Sequence, residues 1–128
     1  MSDQGQIAIK IELFGLGVLE GYIIRHLSPF SADAILSKLP LILRGRFNFG
    51  EKKYWTLPGV KIFKGTNPKS IKNVKKGDII YNPKSDELII MIEDYEFSNK
   101  VNKLGEISSN LQIILQANNG LNTKISRK

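Results

Sequence analysis

The chain has 128 residues, 41% hydrophobic and 24% charged, with a formal net charge of +7, no cysteine and a single histidine, His26. That length and balance describe one soluble domain, residues 1–128, able to bury a core without staples. The composition excludes disulfides and cysteine chemistry, and one imidazole cannot build a Ser-His-Asp triad or a histidine metal centre within one chain.

Ile7, Ile9, Ile11 and Leu13 alternate with Ala8, Lys10 and Glu12, the period of a strand with one buried face. Gly15-Leu16-Gly17 carries turn chemistry, and Val18 to Leu27 reads as the return strand. A short helix follows, with Ser28-Pro29 or Ser31 as cap, Ala32, Ile35, Leu36 and Leu39 at helical spacing, and Pro40 as terminator. Its single apolar face suits a plug over a barrel end. Arg46 to Phe49 and Tyr54 to Leu57 form a second hairpin around Gly50-Glu51, which Val60 and Ile62 extend before a polar loop, KGTNPKS. Gly77-Asp78-Ile79-Ile80-Tyr81 enters a strand, Asn82 to Asp86 turns it, and Leu88 to Ile92 runs back apolar. Leu104 to Ser108 is a further strand. Leu111 to Ala117 fits either a strand or a short helix capped by Asn110, and Leu121 to Ser126 closes the chain. Seven or eight short strands with one or two brief helices make a mainly β protein, a small closed β-barrel.

Charge divides the chain. Residues 44–76 hold ten Lys/Arg against Glu51 alone, and residues 78–96 hold six acids against Lys84 alone. A basic segment attracts nucleic acid or acidic surfaces. Lysines outnumber arginines here, and solvated strand faces account for them as well as phosphate recognition does, since specific phosphate sites recruit arginine forks.

The order of these pieces resembles the small cyclophilin-like proteins of archaea and bacteria, compact β-barrels of unknown activity. Four places carry the resemblance: Ser28-Pro29-Phe30-Ser31 with Ile35-Leu36 and Leu39-Pro40; Gly50-Glu51 leading into Tyr54-Trp55; Gly77-Asp78-Ile79 with Tyr81, Pro83 and Leu88 to Ile92; and Val101-Asn102-Lys103-Leu104-Gly105-Glu106-Ile107. The chain departs from the family where a tryptophan and two prolines commonly follow the tyrosine. Here Asn82-Pro83-Lys84 stands instead, the next strand is aliphatic rather than rich in phenylalanine, and Phe49 occupies a common tryptophan position. The resemblance implies a divergent cyclophilin-like barrel. True cyclophilins are prolyl isomerases with a phenylalanine-histidine-arginine run and a glutamine-glycine-glycine run, and neither occurs here.

No catalytic constellation, metal pattern or cofactor motif is visible. Glu51 and Asp86 fit turn chemistry, and Glu93, Asp94 and Glu96 read as a solvated acidic loop. The expected function is a non-catalytic binding module for a small molecule or peptide, with Arg44, Arg46, Phe47, Phe49, Tyr54 and Tyr81 as candidate ligand-binding residues. Arginines beside aromatics can hold a carboxylate, phosphate or carbonyl, although two same-parity arginines on a solvated strand face are the commoner arrangement. The alternatives are a nucleic-acid-binding barrel using residues 44–76 and, less in keeping with the residues, a prolyl isomerase. The remaining expectations are a cytoplasmic location, no membrane association, and a homodimer formed through complementary basic and acidic lobes.

Overall fold

A computed structural model describes residues 5–47 and 51–128. Ten strands dominate it: β1 (Gln6–Leu13), β2 (Gly17–Ile24), β3 (Leu41–Arg44), β4 (Arg46–Phe47), β5 (Tyr54–Pro58), β6 (Ile71–Val74), β7 (Asp78–Asn82), β8 (Glu87–Met91), β9 (Tyr95–Ser109) and β10 (Asn122–Arg127). The helix α1 spans Pro29–Lys38, and 3-10 turns cover Arg25–Leu27 and Leu111–Gln116. The sheet runs β3-β10-β1-β2-β9-β7-β8-β5-β4, every pairing antiparallel, with β6 added on β9.

The expected closed barrel is corrected at one seam. The path begins at β3 and ends at β4, and no ladder joins these strands among the described residues, although only Gly45 separates them in the chain. Trp55 supplies the physical reason. A Cβ on Gly45 would lie within 2.2 Å of three indole atoms, so the ring occupies the space beside the backbone at the seam. Its Nε1–H reaches across to donate to Thr123 Oγ1 on β10 at 3.1 Å. Gly45 itself donates to Leu121 O and accepts from Gly120 N. A buried tryptophan wedge thus holds the two sheet ends together where strand pairing does not.

The interior is filled from both ends. Ile9, Ile11, Leu13, Leu19, Trp55, Leu57, Ile79, Tyr81, Leu88 and Ile90 pack with Ala32, Ile35 and Leu36 of α1 and with Ile114 of the second 3-10 turn. The β1–β2 hairpin spans the distance between these plugs. α1 follows the end of β2, whereas Gly17 at the hairpin turn faces Ile113. A second, smaller cluster lies on the outer face, where Val74, Ile80, Ile89, Met91, Phe97 and Val101 meet under β6. Burial on both faces explains why β7 and β8 read as unbroken apolar runs instead of alternating.

Polar side chains pin the helix and the long loop. Ser28 stands at the N-cap of α1 but makes no side-chain cap bond, and its hydroxyl donates instead to Lys103 O at 2.9 Å. Asn102, fully buried on β9, donates to Ser31 Oγ and Gly65 O and accepts from Asn67 N. No buried side-chain polar atom among the described residues lacks a partner, as a stable interior requires.

Candidate functional site

The described sequence candidates do not converge on one cleft. Arg44 and Arg46 are exposed at opposite ends of the sheet path, one on β3 and one on β4. Arg46 Nη2 lies 3.4 Å from Glu87 Oε2, a solvent-facing pair of small energetic weight. Phe47 packs edge-on against Trp55 at 4.9 Å. Tyr54 points to the outer face and stacks with Tyr95 and Phe97, both at 5.3 Å, where burial first, then the neighbouring Tyr95 and Glu87, raises its pKa. Tyr81 is wholly buried in the interior. Phe49 lies outside the described residues. β5 and β8 pair directly, Trp55 opposite Ile90, so the β4–β5 and β7–β8 hairpins form one continuous sheet.

What surrounds Tyr81 is a latch. Its hydroxyl donates to Asp86 Oδ1 at 2.6 Å and accepts from Lys64 N at 3.2 Å. The Asp86 carboxylate also accepts three successive backbone N–H groups, from Lys61 at 2.8 Å, Ile62 at 3.2 Å and Phe63 at 2.8 Å. Burial pushes the Asp86 carboxyl up, but these four donors outweigh it and hold the group below the usual carboxylate range. Burial, then the bond to Asp86, pushes the Tyr81 phenol up to about 12. The expected strand extension through Val60 and Ile62 is corrected here. Lys61 (φ 60) and Phe63 (φ 50) are left-handed, so residues 59–63 form a strained loop cupped on the carboxylate, with Val60 and Ile62 turned into the core.

A row of charge crosses the outer face in register. Tyr22 on β2 stands opposite Glu106 on β9, which stands opposite Asp78 on β7. Tyr22 donates to Glu106 at 2.9 Å, and Lys103 Nζ sits 2.7 Å from Glu106 and 3.2 Å from Asp78. The Lys103 ammonium, then the Tyr22 hydroxyl, lowers the Glu106 pKa. Burial works against the Lys103 ammonium, but its two carboxylates raise it overall. Every member of the row has its partner inside the row, so it ties three strands together.

Among the described residues, one open concavity with an apolar floor and opposite charges lies at the 3-10 plug. Ile92, Leu111 and Leu115 form its floor, and Lys76, Glu93 and Gln112 bring the polar groups, around a volume of about 270 Å³. Several bonds build it from sequence-distant pieces. Ile92 N and Glu93 N both donate to Lys53 O, tying the end of β8 to the segment before β5. Lys52 Nζ donates to Leu115 O at 2.8 Å and lies 5.1 Å above the Phe47 ring. The Lys76 backbone N–H donates to Asp94 Oδ1 at 2.8 Å, which fixes the turn that carries the lysine. Leu111 and Leu115, near the two ends of the 3-10 turn, both line the groove. In the sequence that segment fits a strand or a short helix capped by Asn110. The signal for the site is a surface leucine, Leu115, that a buried plug would not need.

No group of three or more His, Cys, Asp or Glu among the described residues is arranged to hold a metal ion, and no described helix is long and apolar enough to cross a membrane.

With this geometry in view, residues 28–126 match the model of the cyclophilin-like family. The chain belongs to the cyclophilin-like family. Among solved structures, this cyclophilin-like protein superposes over its full length on the hypothetical protein AF2241 from Archaeoglobus fulgidus, with a TM-score of 0.77 at 16% identity and full coverage of both chains. It also superposes on McbB, solved in complex with tryptophan, with a TM-score of 0.78 at 10% identity. That match covers 94% of this chain and 44% of McbB, so the cyclophilin-like protein spans less than half of that relative. No curated protein sequence matches it. At these identities the structural likenesses establish the fold.

Proposed function

We propose that this cyclophilin-like protein is a non-catalytic binding module, and that the groove at the 3-10 plug holds an amino-acid-sized ligand or one apolar side chain of a peptide. The observation that carries the reading is one concavity lined both by an apolar floor, Ile92, Leu111 and Leu115, and by the oppositely charged residues Lys76 and Glu93. Ligand sites are mostly apolar concavities with a few placed polar groups. Opposite charges at the rim complement a zwitterion, whose carboxylate meets Lys76 and whose ammonium meets Glu93. The size sets an upper limit. About 270 Å³ falls just below the ~300–1,000 Å³ of sites that enclose drug-sized ligands, which favours one ring or one branched side chain over a nucleotide. McbB, a relative by fold, is in complex with tryptophan, and this supports an amino-acid occupant. Catalysis is not part of the proposal, because the perturbed groups Tyr81 and Asp86, and Lys103 and Glu106, are hydrogen-bonded to one another.

The test is saturation-transfer NMR with a panel of free amino acids and short peptides, on the wild type and on Leu115→Glu. Leu115 is 43% exposed, so the charge should be tolerated by the fold. Transfer to aromatic or branched ligands that disappears in Leu115→Glu supports the reading. Equal transfer in both proteins places the ligand elsewhere and refutes it.

A further inference from the structure

The latch described above has an outward consequence. Phe63 is 76% exposed, the most exposed large hydrophobic side chain among the described residues. It is not on a loose loop. Lys61 and Phe63 sit in the left-handed region, and the Asp86 carboxylate holds the N–H groups of residues 61, 62 and 63. Val60 and Ile62 anchor the loop from inside, and Asn67 ties its far end to Asn102. A left-handed non-glycine residue costs of order 1 kcal/mol or more and persists only where the surroundings over-determine it. Here they do so at the two residues that aim an aromatic ring into solvent.

The same bonds gather cations around that ring. Lys61 and Lys64 flank Phe63 in the chain. The Asp86 latch brings the β7–β8 turn with Lys84 against this loop, and Asn99 Nδ2 donates to Asn82 Oδ1, which brings Lys100 to the same turn. Lys72 continues the line on β6, where Ile71 pairs with Val101. All five lysines are exposed and none makes an ion pair among the described residues. Residues 52–77 contain no acid at all. The acids nearby are committed: Asp86 to the loop amides, and Glu87 to Arg46 and Ser85. Glu96 pairs with Asn73, the residue after Lys72, and marks the acidic edge of this surface.

We propose that this surface docks single-stranded nucleic acid, with a base stacked on Phe63 and phosphates along Lys61, Lys64, Lys84, Lys100 and Lys72. One ring suffices to stack one base, and stacking on aromatics combined with a cationic track is how sequence-blind single-strand binders work. The same single ring is too little apolar area to anchor a protein on a membrane. An acidic peptide matches the charge but leaves the flat face of the ring unused. A duplex hides its base faces, so it gains only the lysine contacts. In the sequence the aromatics interleaved with the basic segment are Phe47, Phe49, Tyr54 and Trp55; Phe49 lies outside the described residues, and the structure commits the other three rings to packing and presents Phe63 instead.

The experiment is fluorescence anisotropy with a labelled mixed-sequence single strand of about 12 nucleotides, as DNA and as RNA, over about 50 to 300 mM salt. Its duplex and anionic phosphatidylglycerol vesicles serve as comparison probes. Wild type, Phe63→Ala, Phe63→Trp and Lys61→Gln/Lys64→Gln are compared. Phe63→Ala should weaken single-strand binding roughly 5- to 150-fold, the range that removal of one stacked base gives, and Phe63→Trp should retain it. The double lysine variant should lower the salt slope by about 0.7 for each phosphate that is no longer neutralised. Phe63 makes little packing contact, so Phe63→Ala stays folded. Equal affinity of Phe63→Ala and wild type, or equal weakening on duplex and single strand, overturns the proposal. So does Phe63-dependent capture by vesicles without single-strand binding. The groove at the 3-10 plug is untouched by these variants, so this result and the ligand test stand independently.

Discussion

Asp86→Asn tests the latch with the least change in shape. Asparagine is isosteric and tolerates the left-handed backbone that Asp86 adopts at φ 54, so backbone strain is held constant. Asp86 Oδ1 serves Ile62, Phe63 and Tyr81, and Oδ2 serves Lys61. The amide keeps one oxygen and places an NH2 where one of these donors points. One hydrogen bond is replaced by a donor–donor clash, and the others lose their charge assistance. The Lys61 and Phe63 amides can turn to water, whereas the Tyr81 hydroxyl and Ile62 amide are more enclosed. At about 0.5–1.5 kcal/mol for a net hydrogen bond, more for charged partners, the destabilisation is about 2 kcal/mol. Urea unfolding at neutral pH measures it, and amide hydrogen exchange locates it at residues 61–64. The pH dependence has a definite sign. A carboxyl held below its unfolded pKa contributes stability that is present above about pH 3.9 and lost as pH falls through the lower folded value. The gap between wild type and Asp86→Asn should therefore close on acidification below about pH 4. A variant within about 0.5 kcal/mol of wild type, with unchanged exchange at residues 61–64, would show that the loop does not depend on Asp86.

Two further outcomes follow from the same packing. Tyr81→Phe should cost about 1 kcal/mol at neutral pH. Because the wild-type phenol ionises only near about 12, its contribution is complete below about pH 10 and disappears as pH rises toward 12, so the difference in urea stability must shrink across that window. A difference that stays constant through it contradicts the assignment. Gly45→Ala drives a methyl into the Trp55 indole at the sheet seam. It should cost about 3 kcal/mol or more by urea unfolding, since the neighbour is a fully buried ring with nowhere to move. Wild-type stability would mean that the wedge does not hold the seam.

The sequence made much of the fold legible through period and punctuation. Alternation marked β1, Ser28-Pro29 and Pro40 bracketed α1, and the Gly77-Asp78 turn and the Asn82–Asp86 turn framed β7 and β8. Elsewhere, long-range contacts decided. Val60 and Ile62 alternate like a strand, but a carboxylate more than twenty residues away bends them into a loop. Residues 93–96 read as a solvated acidic loop, yet Tyr95 and Phe97 begin the 15-residue strand β9, because an outer apolar cluster exists to receive them. Leu111 to Ala117 is ambiguous between periods two and 3.6, and the structure chooses 3-10, with Ile114 inward and Leu111 and Leu115 lining the groove. The candidate site is the least legible part. It is assembled from single residues of sequence-distant segments, each ordinary alone, and Arg44, Arg46, Phe47, Tyr54 and Tyr81 look more chemical than any of them.

The most direct test of the binding reading is a two-dimensional 1H–15N NMR titration of the wild-type protein with tryptophan and with leucine. Saturable shifts should concentrate at Lys76, Ile92, Glu93, Leu111, Gln112 and Leu115, the residues around the groove. Saturable shifts confined to another surface, or none at millimolar ligand across the wider amino-acid and peptide panel, would contradict it.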